Sequence, residues 1–340
     1  MNREAADIIP PDAQPDVIAP KAKPLVRFIL ALGNLHRRCL GFVFALLGPK
    51  ISYTLTGYGA RVMYWLLVPL KERSEALCGA ALAGHVPEGD IPVIARQSFI
   101  NRSRNLTDLM LAAHRLNQGN YERVGGKLPE PFLSCMLAAQ RERRPVILVT
   151  GYYGSFDMLP IFLGYNGVKT SAVYLPHPNH GFDEYRKRIR SQSGCELIPV
   201  QSATTRLEQV LEDGGTVALV ADHHASRRGI EVQFLGIPTR AMSTVGILAC
   251  RHGAEVVVAG LRRVGTDFRF KFEIEDTIVP DDWKDEPNPV EWVTRRYMKG
   301  IEQLILREPA HYLWGYARWG EAHARQITSR TKPESEENTA

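Results

Sequence analysis

Short apolar runs alternate with amphipathic segments along the chain after residue 130. Runs rich in β-branched residues predict strands, which lie at 145–149, 171–174, 196–200, 216–221, 232–235, 256–263 and 268–275. Apolar residues at helical spacing predict helices at 131–142, 158–163, 182–193, 204–212, 242–252 and 289–307. The last two strands flank Gly265-Thr266-Asp267 and predict a hairpin. We therefore predict an α/β fold with a mixed, mostly parallel sheet flanked by helices.

The N-terminal part has a different pattern, which predicts a membrane-associating helical region at residues 25–74. Two apolar blocks, 25–35 and 40–47, are separated by His36-Arg37-Arg38. Neither block reaches the roughly 18–20 apolar residues of a spanning helix. A further apolar stretch, 58–70, contains aromatic residues of the kind that settle at membrane interfaces. The pattern favours monotopic or at most single-pass attachment, and a buried amphipathic hairpin in a soluble protein is the alternative.

The other domain boundaries follow from composition. Residues 1–24 are rich in Pro, Ala and Asp, and residues 323–340 are polar, so both segments are predicted to be disordered. The first 24 residues contain no apolar core, and no secretory signal peptide is expected. Residues 75–322 form the predicted α/β domain, which begins with a long helical pattern at 89–117.

Charge and cysteine content narrow the class of protein. The chain of 340 residues is 44% hydrophobic and 23% charged, as in a globular protein. Between residues 21 and 73 only Glu72 opposes nine Lys or Arg residues, which, beside apolar segments, favours an anionic membrane surface over nucleic acid. The five cysteines are scattered without C-x-x-C spacing, which argues against a disulfide framework or a zinc ribbon.

The segment 150–157 joins the predicted strand at 145–149 to the next helix. Its sequence, Thr-Gly-Tyr-Tyr-Gly-Ser-Phe-Asp, predicts a tight turn flanked by Gly151 and Gly154. Such a turn exposes side chains at the carboxyl end of a sheet, where α/β proteins keep their sites. The helix start also offers unpaired N–H groups to an anion or a developing oxyanion. An ordinary βα loop is the alternative interpretation.

Two histidine-containing segments also follow predicted strands. They are His177-Pro178-Asn179-His180 and Asp222-His223-His224, and both could reach one cleft at the carboxyl edge of the sheet. Neither segment has a defined metal-ligand pattern, so we predict no metal and no other cofactor. The chain contains no P-loop, no G-x-G-x-x-G motif and no G-x-S-x-G elbow.

The order of several motifs is more specific than any one of them. In chain order they are Arg96-x-x-Phe99, Arg104-Asn105-Leu106, Gly151 to Asp157, Val173-Tyr174-Leu175-Pro176 with Asn179, Ala221-Asp222-His223, Phe234 to Pro238, Gly246 to Ala249, and Pro309 to Trp314 with Arg318. Over about residues 55–322 this order resembles the lipid A late acyltransferases, of lauroyl or myristoyl type, in the lysophospholipid acyltransferase superfamily.

The resemblance implies a glycerolipid-acyltransferase-like fold and an enzyme on the cytoplasmic face of a bacterial inner membrane. Such enzymes move a fatty acyl chain from an acyl carrier protein or an acyl-CoA thioester to a hydroxyl of a lipid acceptor. Their His-x4-Asp or His-x4-Glu motif aligns with Tyr152 and Asp157, which are the implied catalytic positions. The implied substrate-binding residues are Gly154, Ser155, Asn179, Asp222 and Arg318.

The residue types depart from the family at three places. Tyr152 replaces the histidine base, Leu175 replaces an arginine, and Tyr316-Ala317 replace a His-Arg pair. A neutral imidazole with a pKa near ~6.5 accepts a proton at neutral pH, whereas a phenol with a pKa near ~10 does not.

Three hypotheses follow from these departures. The first is an active acyltransferase whose base is one of four histidines, His177, His180, His223 or His224. The second is a catalytically inactive homologue that binds acyl lipids or a partner protein at the membrane. The third is a soluble metal-dependent hydrolase that uses the paired histidines.

Overall fold

The computed structural model describes residues 39–225, 229–316 and 318–330. The predicted disordered segment 1–24 and residues 25–38 of the predicted membrane region lie outside this part of the chain. The described N-terminal part is helical, with α1 at 39–47, α2 at Pro49–Leu66, α3 at Val68–Leu82, α4 at Ile91–Arg115 and α5 at Phe132–Glu142. The predicted long helix at 89–117 is therefore confirmed as α4.

Strands and helices then alternate as the sequence pattern predicts. The strands are β1 at Val146–Thr150, β2 at Thr170–Tyr174, β3 at Glu196–Pro199, β4 at Thr216–Val220, β5 at Ile230–Phe234, β6 at Ile237–Ala241, β7 at Glu255–Arg263 and β8 at Phe270–Ile278. The helices are α6 at Leu159–Tyr165, α7 at His180–Arg190, α8 at Ala203–Glu212, α9 at Thr244–His252, α10 at Pro289–Arg307 and α11 at Glu321–Arg330.

The main sheet has the strand order β3-β2-β4-β1-β7-β8. Its pairings are parallel except for the final one, in which β8 runs antiparallel to β7 as the second strand of the predicted hairpin. Strand β1 lies between β4 and β7, with Val146 opposite both Thr216 and Glu255. The predicted α/β fold with a mixed, mostly parallel sheet is confirmed.

Helices cover both faces of this sheet because its strands are apolar on both faces. Ile147 and Val149 of β1 pack into one core with side chains from α3, α8, α9 and α10. Val146 and Leu148 pack into the other core with side chains from α4, α5 and α6. Every residue of β1 is buried, which is typical of a central parallel strand. The segment that follows β1 is thereby fixed at the centre of the molecule.

Two local features differ from the predictions. Strand β6 was not predicted, since Pro238 interrupts its pattern; it forms a separate antiparallel pair with β5, where a proline is tolerated at an edge. Helix α11 occupies Glu321–Arg330, where a disordered tail was predicted from residue 323. Residues 331–340 of that tail lie outside the described part of the chain.

Helix α2 has an apolar face that is exposed. Its exposed large side chains are Ile51, Leu55, Tyr58, Val62, Met63, Trp65 and Leu66. The opposite face, which includes Tyr53 and Tyr64, is buried and contacts α4 and α3. Helix α1 continues the exposed apolar surface with Phe42, Val43, Leu46 and Leu47. We call this surface the α1–α2 apolar face. Within the described residues, no helix is both long enough and apolar enough to cross a membrane.

Candidate functional site

The predicted site turn follows β1 at the carboxyl edge of the sheet. The neighbouring parallel strand β4 ends at Val220, opposite Thr150, so the segment after β4 lies beside the turn. Tyr152 N donates to Asp222 Oδ2 at 3.1 Å and connects the two segments. The structure thus brings together two motifs that are 70 residues apart in sequence.

Backbone hydrogen bonds from two directions fix the turn. Gly154 N donates to His311 O at 2.9 Å, and Ser155 N donates to Leu261 O at 2.6 Å. Gly154 has a φ of +59°, and a Cβ there would lie 2.1 Å from Leu261 O, so only glycine fits. The predicted role of Gly154 and Ser155 in binding substrate stays a prediction, and their structural role is clear.

A buried charged network lies behind the turn. Asp108 of α4 and Arg263 of β7 are completely or almost completely buried, and Arg263 Nε donates to Asp108 Oδ1 at 2.8 Å. Ser155 Oγ donates to Asp108 Oδ2 at 2.7 Å, and Asn105 Nδ2 donates to Gly154 O at 2.6 Å. Tyr53 Oη of α2 also donates to Asp108 Oδ1, at 2.6 Å. This network ties the turn to α4 and, through α4, to α2.

Tyr152 lies in an aromatic cluster. Its ring makes edge contacts with Phe156, His223 and Tyr316, with ring centroids 5.2, 5.1 and 5.4 Å away. Burial, together with nearby Tyr316 and Asp222, raises the pKa of the Tyr152 phenol. Tyr152 therefore keeps its proton at neutral pH, so it can donate a hydrogen bond but cannot act as a base.

Asp157 contacts arginines rather than an imidazole. Arg190 Nη2 donates to Asp157 Oδ1, and Arg186 Nη2 lies 3.7 Å from Asp157 Oδ2. Both arginines come from α7. Among the described residues, no histidine hydrogen-bonds to Asp157, so a substitute His–Asp157 pair is not formed.

His223 is the predicted alternative base that lies against Tyr152. Its ring is nearly perpendicular to that of Tyr152, and Nδ1 lies 3.3 Å from Tyr316 Oη. Burial lowers the pKa of His223, although the Asp222 carboxylate opposes this shift. The imidazole is therefore neutral at pH 7. In the described part of the chain, Nε2 has no hydrogen-bond partner.

The other three candidate bases have different surroundings. His177 Nδ1 accepts from Asn179 N at 3.0 Å, and the His177 ring packs against Phe182. His180 is exposed at the start of α7. His224 Nδ1 lies 3.1 Å from Thr239 Oγ1 of β6.

The last predicted binding residues are buried. Asn179 caps α7, since its Oδ1 accepts from Phe182 N at 3.1 Å. Asp222 Oδ2 also accepts from Tyr312 Oη at 2.9 Å, whereas Asp222 Oδ1 is buried without a partner in the described residues. Arg318 is fully buried with its guanidinium carbon 4.8 Å from the Phe234 ring centroid.

The described residues contain no group of three or more His, Cys, Asp or Glu side chains that could hold a metal ion. The two histidine pairs have separate hydrogen-bond partners, so the geometry gives no support to the metal-dependent hydrolase hypothesis. The site residues that the sequence pattern missed are Asp108, Arg186, Arg190 and Arg263.

Comparison with known proteins agrees with this arrangement. The model of a family described as bacterial lipid A biosynthesis acyltransferase matches residues 133–321, which is more than half of the chain. This match spans the turn after β1, the end of β4 and the segment up to α11. The comparison with curated proteins gave no match.

Proposed function

The chain belongs to the bacterial lipid A biosynthesis acyltransferase family, and we propose that it is an active enzyme with His223 as the proton acceptor. It transfers a fatty acyl chain from the thioester of an acyl carrier protein or CoA to a hydroxyl of a lipid A-like or other membrane lipid. One observation carries this proposal. A neutral imidazole lies against Tyr152, the residue that the motif spacing aligns with the family's catalytic histidine.

The choice of His223 rests on its surroundings. In the tautomer with a proton on Nδ1, Nδ1 donates to Tyr316 Oη, and Nε2 keeps the lone pair that a base needs. The Asp222 carboxylate raises the pKa of His223 and therefore stabilises the imidazolium that forms on protonation. Asp157 does not take part in this pair, because Arg186 and Arg190 hold its carboxylate.

The transfer is a nucleophilic substitution at the thioester carbonyl. The acceptor oxygen attacks the carbonyl carbon while Nε2 of His223 takes the hydroxyl proton. The protonated Tyr152 hydroxyl donates a hydrogen bond to the oxyanion of the tetrahedral intermediate. The C–S bond then breaks, and the imidazolium returns the proton to the leaving thiolate. The products are the acylated lipid and the free thiol of the carrier.

The α1–α2 apolar face supports a membrane lipid as acceptor. The exposed side chains include Tyr58 and Trp65, which are typical of membrane interfaces, and Lys71 Nζ lies 4.4 Å from the Trp65 ring centroid. Lys50 and Arg61 on α2 are also exposed, and basic residues attract an anionic leaflet. We propose monotopic attachment to the cytoplasmic face of the inner membrane through this surface.

The test is acyl transfer by the purified chain in detergent, with acyl carrier protein or CoA thioesters and a lipid A precursor. His223→Gln should lower kcat by about 100-fold or more, since general base catalysis contributes that much. His224→Gln is the matched control, because the adjacent imidazole faces Thr239 and should be dispensable. Thermal melts of both variants check that the fold is intact. Equal activity of the His223 variant and the wild type would reject His223 as base.

A second candidate function is supported by the arginines around Asp157. Their ion pairs occupy the carboxylate that the family motif pairs with histidine, as expected of an inactive homologue that binds lipid or a partner. No turnover with any thioester donor, together with retained lipid binding, would support this function and reject the first.

A further inference from the structure

Helix α2 exposes its aliphatic residues and buries small or polar ones. The Ile, Leu, Val and Met residues of α2 are all exposed on the α1–α2 apolar face. The buried residues of α2 are Ser52, Tyr53, Gly57, Ala60 and Tyr64. The two tyrosine rings thus supply most of the apolar area that α2 buries, and each ring carries a hydroxyl that needs a hydrogen-bond partner. The position of α2 therefore depends on where these two hydroxyls bond.

The two hydroxyls bond to different parts of the molecule. Tyr64 Oη donates to Glu75 Oε1 of α3 at 3.1 Å. Tyr53 Oη donates to Asp108 Oδ1 of α4 at 2.6 Å, and the Arg263 guanidinium carbon lies 5.0 Å from the Tyr53 ring centroid. Burial, together with Asp108, raises the pKa of Tyr53, so its hydroxyl stays protonated and remains a donor. Of the two tyrosines, Tyr53 is the one that reaches the charged network behind the turn.

The Asp108 carboxylate is shared between α2 and the turn. Its Oδ1 accepts from Tyr53 Oη and Arg263 Nε, and its Oδ2 accepts from Ser155 Oγ and Arg263 Nη2. These four donors fill the roughly four acceptor sites of a carboxylate. Asp108 is completely buried, and an acceptor site left empty there is costly because solvent does not replace the lost donor. The positions of α2 and Ser155 are therefore interdependent.

We propose that Tyr53 is a positioning residue through which membrane binding by α2 orders the turn after β1. A membrane that takes up the exposed side chains of α2 restricts the motion of that helix. Tyr53 Oη is then held at Asp108, and Asp108 holds Ser155 in the turn. The turn is thus most ordered where a lipid acceptor is present. This proposal rests on the proposed membrane attachment, and on the proposed acyl transfer only for the task of the turn.

Backbone amides of the turn report its order without any turnover. Gly154 N and Ser155 N donate to His311 O and Leu261 O, and their hydrogen exchange requires these bonds to open. Exchange is measured on the full chain with and without vesicles of phosphatidylcholine and phosphatidylglycerol, and flotation measures vesicle binding. In the wild type, bound vesicles should slow the exchange of these amides about fivefold, the factor expected from one hydrogen bond.

Tyr53→Phe and Tyr64→Phe form a matched pair of variants. Each removes one hydroxyl from a buried tyrosine of α2 and keeps the ring. Tyr53→Phe should still bind vesicles, since the exposed face is unchanged, but exchange in the turn should no longer respond to them. Tyr64→Phe should respond as the wild type does, because Tyr64 bonds to Glu75 rather than to Asp108. Ser155→Ala removes the other end of the link and should also abolish the response.

A purely structural role of Tyr53 gives a different result. Tyr53→Phe would then melt at a lower temperature but keep the response of the turn to vesicles, and this result would overturn the proposal. A wild type that does not bind vesicles, or whose turn does not respond to them, would overturn it as well. If Tyr53→Phe does not fold, Ser155→Ala decides, and a retained response counts against the proposal. A chain that shows the response but transfers no acyl group in detergent would reject the acyltransferase function and still support the role of Tyr53.

Discussion

In the proposed acyl transfer, Tyr152 is the hydrogen-bond donor and His223 is the proton acceptor. Burial shifts the pKa values of these two side chains in opposite directions, because it disfavours the charged form of each, the phenolate of Tyr152 and the imidazolium of His223. It raises the pKa of the Tyr152 phenol and lowers the pKa of the His223 imidazolium. Both side chains are therefore neutral at pH 7, one as a donor and the other as an acceptor.

Removal of the Tyr152 hydroxyl tests the donor role. Tyr152→Phe keeps the ring that packs against His223 but removes the hydrogen bond to the oxyanion. We expect kcat to fall by about 100-fold, as when one oxyanion donor is lost, with little change in KM. Steady-state kinetics with a thioester donor measure both constants.

Tyr153→Phe is the control for that experiment. The Tyr153 hydroxyl is buried and donates to Glu273 Oε2 at 2.8 Å, away from the aromatic cluster. Its removal should affect stability more than kcat. If both phenylalanine variants kept the wild-type kcat, Tyr152 would have no role as an oxyanion donor.

Sequence spacing predicted that Tyr152 and Asp157 lie in one short turn, because the pattern of that turn is local. It could not identify the partners of Asp157, which lie about 30 residues further on in α7. The pair of Asp108 and Arg263 was missed for the same reason, since it joins positions 155 residues apart. The one sequence signal for the burial of Asp108 and Arg263 was their position among apolar residues of α4 and β7.

At the scale of elements, the turn after β1 is fixed by contacts with several other elements. Its backbone forms hydrogen bonds with Leu261 of β7 and with the segment at 311–313. The Asn105 side chain of α4 donates a further hydrogen bond to Gly154 O. A glycine at position 154 allows this close approach, because its Cα lies against the β7 backbone. The positions of Tyr152 and Asp157 therefore depend on that glycine.

Gly154→Ala should disrupt the turn. The new Cβ would meet Leu261 O at 2.1 Å in a left-handed conformation, so we expect a loss of roughly 2–5 kcal/mol in the free energy of unfolding. Gly236→Ala is the matched control, with a φ of +73° but open space around the added Cβ. It should cost only about 1–2 kcal/mol. Urea denaturation of both variants measures the difference, and equal losses would contradict the steric argument.

Strands and helices of the α/β part were predictable because their apolar periodicity is strong. Strand β1 is buried on both faces and appears as an uninterrupted apolar run, Val146 to Val149. Strand β6 was not predictable in this way, since Pro238 and Arg240 interrupt its apolar pattern and it pairs with the short strand β5 outside the main sheet. Helix α11 packs on α3, a contact with a distant element that local polarity did not reveal.

At the scale of the whole molecule, the apolar face and the site are neighbours. Helix α2 packs on α4 through its buried face, and α4 provides Asn105 and Asp108 to the turn. Helices α2 and α4 thus connect the apolar face to the turn.

Acidic substitutions on the α1–α2 apolar face should weaken membrane binding. The double variant Leu55→Asp with Val62→Asp changes two side chains that are 50% and 57% exposed, so the fold should tolerate it. We expect the bound fraction to fall severalfold in flotation with vesicles that contain anionic lipid. Lys169→Asp is the control, because it makes the same change in net charge. Lys169 lies just before β2, at the edge of the sheet opposite to the turn. Equal vesicle binding by the double variant and this control would show that the α1–α2 apolar face does not bind the membrane.

The stability of the whole molecule should fall in acid through His311. Burial, together with Arg263 and Arg262, lowers the pKa of His311 to about 4, whereas an unfolded histidine has a pKa near ~6.5. Between these values the unfolded chain binds a proton that the folded chain does not, so stability is lost as the pH falls from ~6.5 to about 4. His311→Gln should reduce this pH dependence, and the exposed His180→Gln should leave it unchanged. Urea midpoints at pH 7, 6, 5 and 4 give the comparison, and identical slopes for the two variants would show that His311 is protonated in the folded protein.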